Sequence, residues 1–123
     1  MKILVLEDDK NRIEQFKKKL KDHEVVYFTD VAPAIKYIED YGITDVLFLD
    51  HDLDNKVFVP SNNENTGYQL AKFLVNGGYH CNQIIIHSMN GVGAVNMYNI
   101  LKENNVANDI QKIMFPILIE NLP

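Results

Sequence analysis

Two stretches of this chain are apolar at every consecutive residue and then turn polar within one position. Val46-Leu47-Phe48-Leu49 runs into Asp50-His51-Asp52, and Ile84-Ile85-Ile86 runs into His87-Ser88-Met89-Asn90. A strand with one face in water alternates apolar and polar residues, whereas an unbroken apolar run suits a central strand of a parallel sheet, covered on both faces. The polar clusters then fall at the carboxyl edge of the sheet, where open α/β sheets bind ligands. Leu4-Val5-Leu6 ends the same way, in Glu7-Asp8-Asp9. The three strand ends are read as one site.

Strand and helix signals alternate along the whole chain. Strands are predicted at Lys2 to Glu7, Glu24 to Phe28, Asp45 to Asp50, Gln83 to His87 and Gln111 to Phe115. Helices are predicted from about Lys10 to Lys21, Val31 to Tyr41, Thr66 to Asn76 and Gly93 to Asn104. Asp30 and Thr66 are placed to cap the second and third helices, Pro33 is tolerated in a first turn, and Gly42 and Gly77-Gly78 can close helices. Such alternation implies right-handed crossovers and a parallel sheet with helices on both faces, an α/β three-layer sandwich in one domain spanning residues 1–123. Asn55 to Asn65 reads as a long polar loop beside the site, the kind of segment that serves as a lid or binding loop. After Pro116 too few residues remain for a long final helix, so that helix is expected to be short or missing. One sheet edge is then open to pairing with a second copy, which would make a homodimer.

At 123 residues the chain is long enough to bury a core without disulfides or metal staples. No apolar run approaches the ~18 residues that span a bilayer. The amino terminus enters a strand at once with no apolar signal region, and there is one cysteine, Cys81, so a cytoplasmic location is expected. The formal net charge of -5 argues against broad binding to duplex nucleic acid. A phosphorylated small molecule or an RNA end remains compatible with it. Lys17-Lys18-Lys19 and Lys21 share a helix with the apolar Ile13, Phe16 and Leu20, and read as its solvated face.

The order of elements, the acidic pair Glu7-Asp8 and Asp50 at the end of the third strand resemble a response-regulator receiver domain over nearly the whole chain. The resemblance implies a flavodoxin-like fold with a five-stranded parallel sheet of order 2-1-3-4-5. It also implies that Glu7 and Asp8 stand where receivers hold Mg²⁺, Asp50 where they accept a phosphoryl group, and Ser88 where they keep a hydroxyl. Receivers carry a Lys before a Pro at the end of the fifth strand, whereas Phe115 precedes Pro116 here, which speaks against ordinary phosphotransfer. Leu49-Asp50-His51-Asp52-Leu53, Thr66-Gly67-Tyr68, His87-Ser88-x-Asn90-x-Val92-Gly93 and Asn96-Met97 further resemble a divergent branch, the cyclic-phosphate-processing receiver domains. In that branch the residues at Glu7, Asp8, Asp50, His51, Asp52, His87, Ser88 and Asn90 are implied to act on cyclic phosphates. This chain departs from the branch in having Glu7 where Asp is common, Gly91 where Pro is, and Ala94 where Arg is.

Glu7, Asp8, Asp50 and Asp52 would be gathered from two neighbouring strands, and four carboxylates cannot all stay ionised there without a cation or raised pKa values. A divalent metal, Mg²⁺ or Mn²⁺ by the oxygen ligands, resolves this, with Glu7, Asp8 and Asp50 as its ligands. Nearby histidine nitrogens would also admit Zn²⁺. One of Asp8 and Asp9 can instead cap the first helix. In the receiver order His51 and His87 become neighbours roughly 5 Å apart between backbones. Two imidazoles so placed could share one phosphate as base and acid, with Asp52 beside them. Otherwise His87 is a structural hydrogen-bond partner and His51 faces solvent. Ser88 and Asn90 can donate to phosphate oxygens, and Gly91-Val92-Gly93 leads into a helix amino terminus that favours anions. Cys81 is read as a structural thiol ahead of its strand, His23 and His80 as turn residues, and Met97 and Tyr98 as helix core.

The reading these residues favour is a metal-assisted phosphoesterase acting on an RNA 2',3'-cyclic phosphate end or a cyclic nucleotide, with His51, His87 and Asp52 catalytic, and Ser88, Asn90, Gly91 and Gly93 holding phosphate. The alternative is a noncatalytic receiver-like module that binds a phosphate or a partner protein without a standard phosphorelay.

Overall fold

The unbroken apolar runs are the inner strands of a parallel sheet. In the computed structural model, which describes residues 1–53 and 59–113, the elements follow in the order β1 (Lys2–Leu6), α1 (Lys10–Lys19), β2 (Glu24–Phe28), α2 (Val31–Tyr41), β3 (Val46–Leu49), α3 (Gly67–Asn76), β4 (Cys81–Ile86), α4 (Gly91–Glu103) and β5 (Ala107–Lys112). The sheet order is β2-β1-β3-β4-β5, with every pairing parallel. This is the receiver-type, flavodoxin-like topology expected from the sequence.

Alternation along each strand sorts side chains between two layers. Leu4, Leu6, Leu47, Leu49, Ile84 and Ile86 pack against α2, α3 and α4 through Ala34, Ile38, Leu70, Leu74, Met97 and Leu101. Ile3, Val5, Val46, Phe48 and Ile85 face the other way, onto Phe16 and Leu20 at the α1 end. Because β1, β3 and β4 are buried on both faces, they lack the period-2 pattern of a half-exposed strand. No helix among the described residues is long and apolar enough to cross a membrane.

Several boundaries differ from the sequence expectation: α1 ends at Lys19 and α4 begins at Gly91, each two residues from the expected position, and two strands differ as well. The fifth strand begins at Ala107, not near Gln111, because β5 is an outer strand on which only Ala107 and Ile110 are buried, leaving little apolar signal. Cys81 opens β4 rather than preceding it, pairs with Ala107 and is buried. The expectations for Asn55 to Phe58, for Phe115 and Pro116, and for a short or missing last helix lie outside the described residues.

The helix caps are partly as expected. Asp9 caps α1, its carboxylate accepting from the Arg12 N–H at 3.1 Å. Gly42, at φ 89°, ends α2 in the left-handed region that glycine tolerates. Asp30 and Thr66 hold the N-cap positions of α2 and α3 without capping them. The Val31 N–H instead donates to Asn65 Oδ1 at 2.9 Å, and Asn65 Nδ2 donates to Asp30 Oδ1 at 2.9 Å. The Thr66 hydroxyl turns back to the Asn63 carbonyl at 3.1 Å. The described half of the long loop is thus tied to two helices.

Candidate functional site

Register brings the chemistry together. Leu6 pairs with Leu49 and Leu49 with Ile86, so the next residue on each strand, Glu7, Asp50 and His87, stands at one level beyond the sheet edge. All three continue the alternation of the α1-facing layer and are buried, at 1%, 4% and 0% exposure. A ligand atom from each lies within 4.8 Å of the others.

Glu7 is held from several sides. One oxygen, Oε2, accepts from the Asp8 and Asp9 N–H groups at 3.0 and 3.1 Å. The other, Oε1, lies 3.2 Å from His87 Nε2 and 3.6 Å from Arg12 Nη1. Burial raises the pKa of Glu7, but the His87 hydrogen bond and charge, the Asp9 N–H and the Arg12 guanidinium outweigh it and leave the group below the usual value. Asp50 responds in the opposite direction. Burial, then the charge of Glu7 and a hydrogen bond to it, push Asp50 up to about 8, against weaker lowering by Arg12 and the His51 N–H. Burial and the neighbouring Glu7 charge thus favour the protonated form of Asp50 while Glu7 is held ionised.

The donor set, two carboxylates from adjacent strands and one imidazole, is of a kind that fits a divalent metal. Asp8, expected as a third ligand, is half-buried beside this group but is not one of the three. Asp9 is the capping residue of the acidic pair's vicinity, as the sequence allowed.

The two histidines do not meet. His87 lies on the α1 side, its ring edge-on to Phe16 with centroids 5.4 Å apart. His51 follows Leu49 by two residues, so alternation sends it to the opposite layer. There its ring packs on α4, where a Cβ at Gly93 would come within 2.5 Å of it. Its Nδ1 lies 2.8 Å from Asp52 Oδ1 and its Nε2 lies 2.9 Å from Ser61 Oγ. Backbone neighbours on adjacent strands therefore carry imidazoles on different faces, and the expected sharing of one phosphate is overturned by strand parity. His51 is also fully buried rather than facing solvent.

The expected phosphate-binding residues are engaged within the chain. Asn90 caps α4 by accepting from the Gly93 N–H at 3.0 Å, while its Nδ2 donates to Asp52 Oδ1 at 3.1 Å and to the Val59 carbonyl at 3.0 Å. Both ends of that amide are spent on structure. Ser88 Oγ accepts from the Asn90 N–H at 3.0 Å, which leaves its own proton to donate. Gly93 serves close approach to the His51 ring, not a phosphate loop, and Gly91 is exposed at the start of α4. Asp52 leaves the acidic group altogether: Oδ1 accepts from the Val59 N–H at 3.2 Å, and the residue forms an isolated bridge with Thr66.

Sequence reasoning missed Arg12 and Ser61. Arg12, three residues after the Asp9 cap, sits on the first turn of α1 facing the end of β1, and its Nη2 also lies 3.2 Å from Met89 Sδ. That spacing was available as a signal. Ser61 lies in a polar loop with nothing local to mark it.

The match to known proteins spans the region that carries this site. The family model described as the cyclic-phosphate processing receiver domain matches residues 2–103. The chain belongs to that family. No curated protein matches the sequence. Among solved structures it is similar to the Francisella response regulator 1452 receiver domain, at 21% identity and TM-score 0.65, covering 98% of this chain and 92% of that one. It is also similar to the N-terminal domain of a response regulator/sensory box/GGDEF 3-domain protein from Carboxydothermus hydrogenoformans, at 16% identity and TM-score 0.64, covering 98% and 89%. The Mn(2+)-bound form of response regulator Rcp1 matches at 17% identity and TM-score 0.58, covering 97% and 89%. At these identities the structures share the fold of this receiver domain.

Proposed function

We propose that this receiver domain is a metal-assisted phosphoesterase acting on cyclic phosphates, either RNA 2',3'-cyclic ends or cyclic nucleotides, in the cytoplasm. The observation that carries the reading is the buried Glu7–Asp50–His87 group, three metal-type donors within 4.8 Å at the carboxyl edge of the sheet. The family description supports the substrate class, and the Mn²⁺-bound relative supports a divalent cation in a fold of this kind. Glu7 and Asp50 would hold Mg²⁺ or Mn²⁺, with Asp8 at the rim. The cation would supply charge stabilisation of a phosphoryl oxygen. Arg12, 3.6 Å from Glu7, adds a fixed positive charge to the same pocket. His87, 3.2 Å from Glu7, would hand a proton to the leaving ribose oxygen. Ser88 has a hydroxyl proton to offer a phosphate oxygen at the same strand end.

The runner-up is a noncatalytic module that binds a phosphate or a partner, including a second copy through an outer strand, β2 or β5. It is favoured by the depth of the site, since all three donors are almost fully buried. Turnover of cyclic-phosphate RNAs and nucleotides, with Mg²⁺, Mn²⁺, Zn²⁺ or chelator, separates the readings. Metal-dependent hydrolysis in wild type and its loss in His87→Ala are expected; tight binding with no turnover under any metal would leave the binding module.

A further inference from the structure

We propose that Ser61, His51 and Asp52 form a second hydrolytic centre, a serine nucleophile with its base and orienting carboxylate, acting on small polar carboxylic esters in the cleft between α3 and α4. It stands apart from the acidic pocket, on the opposite layer of the sheet, and does not depend on the phosphoesterase reading.

The hydrogen bonds fix the direction of the chain. The Asn90 amide nitrogen has two protons, and these go to Asp52 Oδ1 at 3.1 Å and the Val59 carbonyl at 3.0 Å. Its 3.4 Å approach to His51 Nδ1 is therefore not a donation. Asp52 Oδ1, 2.8 Å from Nδ1, is a carboxylate acceptor, so Nδ1 carries the proton of the neutral ring. Nε2 is then the acceptor, and the Ser61 hydroxyl, 2.9 Å away, donates to it. Asn96 Nδ2 donates to Ser61 Oγ at 3.0 Å, completing an arrangement in which every polarity runs one way. A base within hydrogen-bond reach of a hydroxyl, itself oriented by a carboxylate, is the geometry that activates serine. The Gly93 position lets α4 close on the ring and hold it with no side chain between.

The nucleophile opens onto space. A cleft of about 780 Å³ is lined by Ser61, Tyr68, Gln69, Lys72, Asn96 and Glu103, among others. Its amides, hydroxyls and paired signs of charge suit a polar ester rather than a lipid. The Asn96 amide, already at Ser61 Oγ, is the type of donor that stabilises an oxyanion. In the reaction the Ser61 Oγ–carbon bond forms as the hydroxyl proton passes to His51 Nε2. The ester C–O bond breaks, and the departing alcohol takes that proton. Water then attacks the acyl carbon, gives a proton to Nε2, and Ser61 leaves and recovers it, so ester and water become acid and alcohol.

The test is covalent labelling with a fluorophosphonate probe in chelator, which silences metal-dependent chemistry. The expected result is one adduct by intact mass, mapped to Ser61, with fluoride released. It should form at least 100-fold faster on native than on urea-unfolded wild type, a comparison that needs no variant. Ser61→Ala should abolish it, His51→Gln should slow it at least 100-fold with an unchanged circular dichroism spectrum, and 4-nitrophenyl acetate hydrolysis should follow the same order. Absence of a Ser61 adduct on native protein, or labelling at the unfolded rate, would overturn the proposal and reduce the three residues to a tether for the loop.

Discussion

Replacing Asp50 by Asn should stabilise the metal-free protein at neutral pH. Asp50 keeps its proton up to about 8 in the folded chain and only to an ordinary 3.8 when unfolded. Between those values the folded state binds the proton that the unfolded state has lost, so the stability contribution present below 3.8 falls away progressively as pH rises towards 8. Roughly four units at ~1.4 kcal/mol each set an upper bound of ~6 kcal/mol. Water entry and rearrangement around Arg12 bring the expected penalty to ~2–3 kcal/mol. Asn keeps the shape and a donor towards Glu7 but never ionises. Thermal unfolding in chelator at pH 7.5 should therefore show Asp50→Asn melting ~8–12 °C above wild type, at ~4 °C per kcal/mol for a domain of this size. At pH 4 the two should nearly coincide. Adding Mn²⁺ should raise the wild-type midpoint and leave the variant almost unmoved, because binding expels the Asp50 proton and needs its charge. Parallel wild-type and variant melting curves from pH 4 to 8 would refute the argument that burial beside Glu7 protonates Asp50.

Gly93→Ala would set a methyl 2.5 Å from the His51 ring, whose nitrogens are both engaged, and should cost ~2–3 kcal/mol in urea unfolding. Gly67→Ala drives its methyl into the Asp50 carbonyl, which is backbone and cannot rotate away, so a larger loss, ~3 kcal/mol or more, is expected in the same assay. Asn65→Ala removes the acceptor for the Val31 N–H and should cost ~1 kcal/mol. The Cys81 thiol, pushed up to about 11 chiefly by burial, should resist iodoacetamide in native protein at pH 8 and react at once in urea.

The sheet was legible because its inner strands carry unbroken apolar runs, Ile3 to Leu6, Val46 to Leu49 and Ile84 to Ile86, that turn polar at their carboxyl ends, a contrast that burial on both faces imposes. The same property hid which face each catalytic candidate takes, since Leu47-Phe48-Leu49 carries no alternation to count from. Counting on from the strand would have placed Asp50 and His51 on opposite layers, and that step separates the acidic group from the Ser61 chain. Asn90 illustrates a different limit: an amide before a helix can hold a ligand or hold the helix, and only the positions of Gly93, Asp52 and Val59 decide it. The β5 boundary was missed for lack of a core-facing pattern on an outer strand. Asn65 was invisible as a cap because its helix begins 34 residues earlier.

That borrowed cap has a mechanical result. The segment carrying Ser61 is fastened to α2 through Asn65, and to α3 and α4 through the Ser61 carbonyl and hydroxyl, which accept from Gln69 Nε2 at 2.8 Å and Asn96 Nδ2 at 3.0 Å, so moving it outward as a unit releases hydrogen bonds to three helices at once. An open form is then a minor state that a bulky ligand must select. The amide of Val31, at the far helix, becomes a reporter of that opening: its hydrogen exchange should quicken whenever the loop is drawn aside.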